Sequence, residues 1–279
     1  MKRIAVLGSG LLGGSIALAV QSLIPTVSVA LWGRRQQGVE DARARGVKEV
    51  SVDLGEVLKG ADMVVLASPV GAMLQILNAA ASHRSLEGVI VTDVGSVKLT
   101  PRDTLKQAVE KAGAKYIGSH PMAGSEQAGV ASARADLFEG AACVITNDFK
   151  HPEQDLNEIT GFWEAIGCQC FLTTSEEHDR VMARVSHLPH MLASVVALVG
   201  LKHPDDGKFA GNGMRDTTRV ASGHPEMWAE IFLRNRAALK EPIEEVINHL
   251  REMLDLLEDS SEEKLARVLE RAKQLRDEL

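Results

Sequence analysis

The chain is poor in cysteine, and the few thiols it has are badly spaced for cross-linking. Its 279 residues hold three, Cys143, Cys168 and Cys170. An odd number with no C-x-x-C pair fits buried thiols in a reducing, cytoplasmic setting rather than a disulfide framework or a zinc site. No run of consecutive apolar residues approaches the ~20 needed to span a bilayer. The amino end enters a strand pattern at once (Met1-Lys2-Arg3-Ile4-Ala5-Val6-Leu7), so a secretory signal is not expected. No basic run offsets the formal net charge of −7, which argues against nucleic acid as a partner. Internal repeats and low-complexity segments are also missing. What is present, 45% hydrophobic and 25% charged residues, is the balance of a soluble globular protein of one large or two ordinary domains.

Ile4-Ala5-Val6-Leu7 reads as a short buried strand running straight into Gly8-Ser9-Gly10-Leu11-Leu12-Gly13. A helical pattern through Ile16, Leu18, Ala19 and Leu23 follows and stops at Pro25. Strand, G-x-G-x-x-G, helix is the context in which this motif signals a dinucleotide. Gly8 permits the tight turn, Gly10 lets backbone approach a pyrophosphate, and Gly13 lets the helix pack on the strand. Ser9, Leu11 and Leu12 join the cofactor set because the helix amino end supplies amide donors to phosphate.

Val27–Leu31 reads as the second strand. An Asp or Glu for the ribose 2′-hydroxyl is expected at its end, but the chain there reads Trp32-Gly33-Arg34-Arg35, with Glu40 and Asp41 further on. Guanidiniums grip a 2′-phosphate that a carboxylate would repel, so Gly33, Arg34 and Arg35 favour NADP over NAD. The alternative is a pair of solvated loop charges. Met63–Ala67, ending in Ser68-Pro69, and Val89–Thr92, ending in Asp93-Val94-Gly95-Ser96, continue a strand–helix alternation. Such alternation implies a mostly parallel sheet with ligands beyond its carboxyl ends. Ala142–Thr146 and Cys170–Leu172 read as closing strands, with a helix from about Pro152 to Ile166 between them.

From Thr174, paired with Glu177 as in a capping box, helical spacing dominates to the last residue. The fold expected is therefore α/β: an N-terminal Rossmann-type sheet over 1–173, then an all-α helical domain over 174–279. The run from Leu192 to Leu201 is too apolar for a solvated helix. With the stripe from Leu239 to Leu257 it suggests core or a homodimer interface. Arg215 and Arg219, four apart after a glycine-rich break, suit either a substrate carboxylate or ordinary surface pairing. His187 and His190 have a spacing that could serve a metal, but no further ligands complete a site, so none is expected.

Gly118-Ser119-His120-Pro121-Met122-Ala123-Gly124-Ser125-Glu126 follows a short strand and reads as a turn with a histidine at its mouth. A histidine held there in one orientation suits general-base catalysis.

GSGLLGGS near the amino end, DVGSVK (93–98), GSHPMAGSE (118–126), SHLPH (186–190) and GMRDTTR (213–219) together resemble the prephenate/arogenate dehydrogenase family of tyrosine biosynthesis. The likeness covers nearly the whole chain and is to the minimal, monofunctional form. It implies oxidation of a ring 4-hydroxyl, with hydride passing to NAD(P) and the ring carboxylate leaving as CO₂. His120 would take the hydroxyl proton, and Ser96 would hold His120 or the hydroxyl in register. Arg219, helped by Arg215, would hold a substrate carboxylate. His190, His187 and Ser186 would line the substrate from the helical side, with Ser125 beside them. Glu126 and Asp216 would join an ionic network at the cleft entrance, the Asp reaching across a dimer. Prephenate is the expected substrate, with arogenate as the alternative. Competing readings are a hydroxyacid dehydrogenase, which needs a lysine in the helical half, and an NADP-sensing regulator without turnover.

Overall fold

The structure of the protein is a computed structural model, and it describes residues 1–124 and 129–279. The chain begins β1 (Arg3–Leu7), α1 (Leu11–Leu23), β2 (Ser28–Trp32), α2 (Gln36–Ala44), β3 (Val50–Ser51) and α3 (Leu54–Leu58). It continues β4 (Met63–Leu66), α4 (Val70–His83), β5 (Ile90–Asp93), α5 (Leu99–Ala112) and β6 (Lys115–Tyr116). These strands form one parallel sheet in the order β3-β2-β1-β4-β5-β6. The order reverses between β1 and β4, and that crevice is where ligands bind in such sheets.

The central strands read as near-continuous apolar runs, Ile4–Leu7 in β1 and Met63–Leu66 in β4, because helices cover both faces. Along β1 the side chains alternate between two cores. Ile4 and Val6 pack with Ile16 and Val20 of α1, whereas Ala5 and Leu7 pack with Leu58, Leu77 and Leu105 of α3, α4 and α5. Periodicity marked the long strands; the short α2, β3 and α3 escaped it because each is too brief to show a period.

The next elements differ from the expectation of closing strands. β7 (Gly118–Pro121), β8 (Ala142–Thr146), α6 (Glu153–Ala165) and β9 (Gln169–Thr173) build a separate sheet in the order β7-β8-β9. β7 runs antiparallel to β8, with His120 opposite Val144, and β8 runs parallel to β9. His120 therefore lies inside a strand, not at the mouth of a turn. The pairing joins segments far apart in the chain, and local spacing carries no trace of it. Cys143 and Cys168 are buried and Cys170 is half-buried, and all three are free.

Beyond Thr173 the described residues form helices: α7 (Ser175–Met182), a π-helical turn (Ala183–His187), α8 (Leu188–Gly200), α9 (Asn212–Thr218), a 3₁₀ turn (Arg219–Ser222), α10 (Pro225–Arg234), α11 (Arg236–Glu258) and α12 (Glu262–Asp277). Thr174 caps α7 by accepting the Glu177 N–H at 3.2 Å. Helix 175–200 is continuous, and by length and composition alone it would reach across a bilayer. Its first half carries the buried polar residues His178, Asp179 and His187. Its last turns are not core: Leu198 is 76% exposed, and Val195 and Val199, with Leu201 just beyond, are also exposed. Leu250, Leu254 and Leu257 of α11 extend the exposed apolar surface.

Candidate active site

The glycine motif sits at the β1/β4 crevice. Gly8 has φ +140°, and a Cβ there would lie 2.2 Å from the Ala67 carbonyl oxygen at the end of β4. A Cβ on Gly13 would fall 1.9 Å from the Gly8 oxygen, so these two glycines set the close approach of strand, turn and helix. Around Gly10, by contrast, a Cβ would meet nothing within 4 Å. The amino end of α1, with Leu11 and Leu12 as its first residues, has no side-chain cap and no acid in its first turn. Uncapped amides beside open space fit a pyrophosphate. Ser68 and Pro69 lead from β4 into α4 on the same crevice, and the Ser68 hydroxyl turns onto the Pro69 carbonyl at 3.4 Å.

At the end of β2, Gly33 is buried against Ser9, whose Oγ would be 2.8 Å from a Cβ there. Arg34 and Arg35 follow, both exposed at the start of α2. The nearest acids face away into intrahelical hydrogen bonds, Gln36 to Glu40 at 3.1 Å and Gln37 to Asp41 at 2.8 Å. Two cations and no competing carboxylate at this point fit an anionic ribose substituent.

His120 is held from behind by its neighbour. The Ser119 hydroxyl meets Thr92 Oγ1 at 2.8 Å and accepts from Trp163 Nε1 at 2.9 Å. The Ser119 carbonyl accepts from Lys98 Nζ at 2.7 Å. Lys98 is wholly buried and also donates to Asp93 Oδ1 at 2.5 Å, while Tyr116 donates to Asp93 Oδ2 at 2.6 Å. Burial and the nearby Asp93 charge push the Tyr116 phenol well above its ordinary pKa, so it stays a donor. This network fixes the backbone that presents the histidine.

His120 is 8% exposed. Its Nδ1 lies 2.8 Å from His178 Nε2; Ser96, half-buried after β5, was the expected partner and does not fill that place. Burial, then the neighbouring His178, Lys98 and His187, hold the His120 pKa well below its usual value. The ring is thus neutral at neutral pH and retains a lone pair.

The helical half brings buried histidines to this spot. His187 lies in the π turn, with Nδ1 2.9 Å from Asn235 Nδ2. An amide nitrogen only donates, so His187 carries its proton on Nε2, which is buried and set against the Ser96 backbone. Burial pulls its pKa down to about 4. His190 of α8 stacks on Trp228 at a centroid distance of 3.5 Å, and its buried Nδ1 has no protein partner. Gly223 closes on this pair, since a Cβ there would lie 2.5 Å from Trp228 Nε1. Ser186 is half-buried one residue before His187. Arg215 and Asp216 are exposed on α9, and Arg219 opens the 3₁₀ turn that packs against α8. Ser125 and Glu126 lie outside the described residues.

Sequence reasoning missed His178, Asp179, Lys98, Asn235 and Trp228. Lys98 stands within a motif that was noticed, and His178-Asp179 is an adjacent acid–base pair; burial, which only the fold reveals, distinguishes both from surface residues. Among the described residues no cluster of three or more His, Cys, Asp or Glu could hold a metal.

A dinucleotide crevice, a buried neutral histidine on a strand packed against β5 and a helical second half fit a nicotinamide-dependent dehydrogenase. Residues 16–172 match the family model described as prephenate dehydrogenase, nucleotide-binding domain, and residues 174–271 match prephenate dehydrogenase, dimerization domain. The chain belongs to the prephenate dehydrogenase family and is an NAD(P)-dependent oxidoreductase of tyrosine biosynthesis. It is 32% identical to a prephenate dehydrogenase of Lactococcus lactis over 99% of this chain and 77% of the relative. It is 34% identical to a cyclohexadienyl dehydrogenase of Zymomonas mobilis over 90% of this chain and 87% of the relative. Among solved structures it resembles prephenate dehydrogenase from Aquifex aeolicus in complex with hydroxyphenyl propionate and NAD+, with TM-score 0.89, 30% identity and coverage of 100% and 98%. It also resembles Synechocystis arogenate dehydrogenase, with TM-score 0.80, 30% identity and coverage of 99% of each chain.

Proposed function

We propose that the protein oxidises prephenate to 4-hydroxyphenylpyruvate with loss of CO₂, using His120 as the general base and preferring NADP. The observation that carries this reading is the His120 ring: buried, neutral, and hydrogen-bonded through Nδ1, with Nε2 left to take a proton. A bound nicotinamide supplies the hydride acceptor. Gly8, Ser9, Gly10, Leu11, Leu12 and Gly13 hold its pyrophosphate, with Ser68 and Pro69 along the crevice wall, and Gly33, Arg34 and Arg35 take the ribose phosphate.

The substrate hydroxyl gives its proton to His120 Nε2 as hydride leaves the carbinol carbon. Ser96 steadies that hydroxyl. The developing ring carbonyl then withdraws the electrons released by the departing carboxylate, so decarboxylation needs no separate acid. Arg219, with Arg215 nearby, offers the planar guanidinium that matches a carboxylate. His190 presents a buried ring nitrogen without a protein partner, which supports a role in bonding the substrate's polar side chain, and we place His187 and Ser186 alongside. We assign Ser125 to the same wall and Glu126 with Asp216 to the cleft entrance.

We take the working domains as 1–173 and 174–279 and the protein as a cytoplasmic homodimer. Exposed apolar side chains on α8 and α11 support the dimer, and three free thiols support the compartment. Absorbance of reduced nicotinamide, followed with prephenate, arogenate and simple hydroxyacids, each with NAD and NADP, tests the reading. Prephenate with NADP should give the highest kcat/KM. Preference for arogenate would move the substrate assignment to the related compound, and turnover of hydroxyacids alone would refute it.

A further inference from the structure

We infer that Asp179 and His178 are positioning residues that fix the tautomer of His120, so that its Nε2 is the atom left bare to accept the substrate proton. This rests on His120 being the base. The Asp179 carboxylate, at the far end of the relay, is fully buried. It accepts the Lys98 N–H at 2.7 Å and the Leu99 N–H at 3.1 Å, which pins it to the first turn of α5. Its Oδ1 lies 2.7 Å from His178 Nδ1. A carboxylate so bonded only accepts, so the proton of that bond belongs to His178 Nδ1.

His178 is itself buried, and desolvation keeps it from a second proton despite Asp179. Its Nε2 is therefore an acceptor. His120 Nδ1 stands 2.8 Å away and must donate, which leaves Nε2 as the unprotonated nitrogen of His120. The rings meet edge to face, 66° apart at 5.0 Å between centroids, a geometry that lets a ring N–H point at an in-plane lone pair. The backbone is held as well: the Asp179 carbonyl accepts from Asn235 Nδ2 at 2.8 Å, tying α7 to the start of α11.

The relay also acts after proton transfer. When Nε2 takes the substrate proton, the imidazolium keeps its Nδ1–H bond to His178, now charge-assisted, with Asp179 as counter-charge at the far end. The proton travels only from the substrate hydroxyl to Nε2, and none reaches Asp179. The charged and titratable groups facing His120 are His178, Lys98 and His187, and those facing His178 are Asp179, Lys98 and Asp93. Lys98 is already neutralised by Asp93, so Asp179 is the anion left to answer a charge on the ring pair.

The test uses the full chain with His178→Phe and His178→Gln, each with and without His120→Asn. His178→Phe should lower kcat about 10- to 100-fold, a part of the 10²–10⁴ that a general base is worth. It should also leave NADP binding unchanged. Gln offers an acceptor oxygen in the same space, so His178→Gln should recover much of the loss. On the His120→Asn background, His178→Phe should cost nothing further. Nitrogen NMR of labelled histidine should find wild-type His120 protonated at Nδ1 and bare at Nε2, and a mixture in His178→Phe. Protonation of wild-type His120 at Nε2, or an equal kcat loss with and without His120, would overturn the relay. An unchanged kcat in His120→Asn would remove the base assignment instead, while the NMR result would still decide the tautomer.

Discussion

Lys98 is the sharpest test of how the site is held in place. The side chain is completely buried, and so is its partner Asp93. Its ammonium meets Asp93 Oδ1 at 2.5 Å and the Ser119 carbonyl at 2.7 Å. Lys98→Met keeps most of the apolar stem but leaves the Asp93 carboxylate with only Tyr116 and the Gly95 N–H, at 2.7 Å, as partners. Removing one member of a buried ion pair typically costs about 3–5 kcal/mol, a large share of the roughly 5–15 kcal/mol that holds a domain folded. Asp93→Asn alone strands the ammonium in the same way. The double variant strands neither charge, because the amide that replaces the Asp93 carboxylate can still accept from Tyr116 or Gly95. It should therefore be less damaged than the sum of the singles, by about 1–3 kcal/mol. Urea unfolding followed by far-ultraviolet circular dichroism measures all three. A Lys98→Met loss below about 1 kcal/mol, or strict additivity, would show that the pair does not hold the His120 strand.

Two further outcomes follow from charge. Arg34→Ala should weaken NADP by about 1.5–3 kcal/mol, the worth of a charge-assisted phosphate contact, and leave NAD nearly unchanged; titration with each cofactor checks this, and equal losses for both would contradict it. The buried His187 falls from its ordinary 6.5 to about 4 in the folded protein. Between those values the unfolded chain binds a proton that the folded one refuses, so this contribution is complete above about pH 6.5 and is lost as pH falls toward about 4. His120, His178 and His190 shift in the same direction. The urea midpoint should accordingly be lower at pH 5 than at pH 7, and an equal or higher midpoint at pH 5 would contradict it.

The parts of this site that were legible in the sequence are those written in local spacing. The β1 run, Gly8, Gly10 and Gly13 declare themselves because a tight turn and a close helix approach need small residues at fixed offsets. Thr174 and Glu177 declare the start of α7 for the same reason. His120 was legible as a residue of interest, but not its setting: antiparallel pairing with β8 joins positions more than twenty residues apart, and alternation in a four-residue strand is too brief to read. His178 and Asp179 were hidden altogether. They sit in the polar opening turn of a helix whose first residues, Ser175, Glu176 and Glu177, look solvated. The docking of α7 against α5, α11 and β8 buries them. Trp228 is likewise a lone aromatic in an amphipathic helix until His190 stacks on it. The apolar run of α8 was readable as unsuited to water, and its last turns are exposed, as the proposed dimer requires.

The central claim is that His120 takes the proton released as the substrate is oxidised, and turnover of His120→Asn tests it most directly. The measurement is kcat with prephenate and NADP, alongside cofactor affinity and melting temperature. The expected result is a fall in kcat of about 10²–10⁴ with both controls unchanged, and a wild-type rate that rises with pH on the acid side as His120 becomes neutral. A variant that keeps most of its turnover would contradict it.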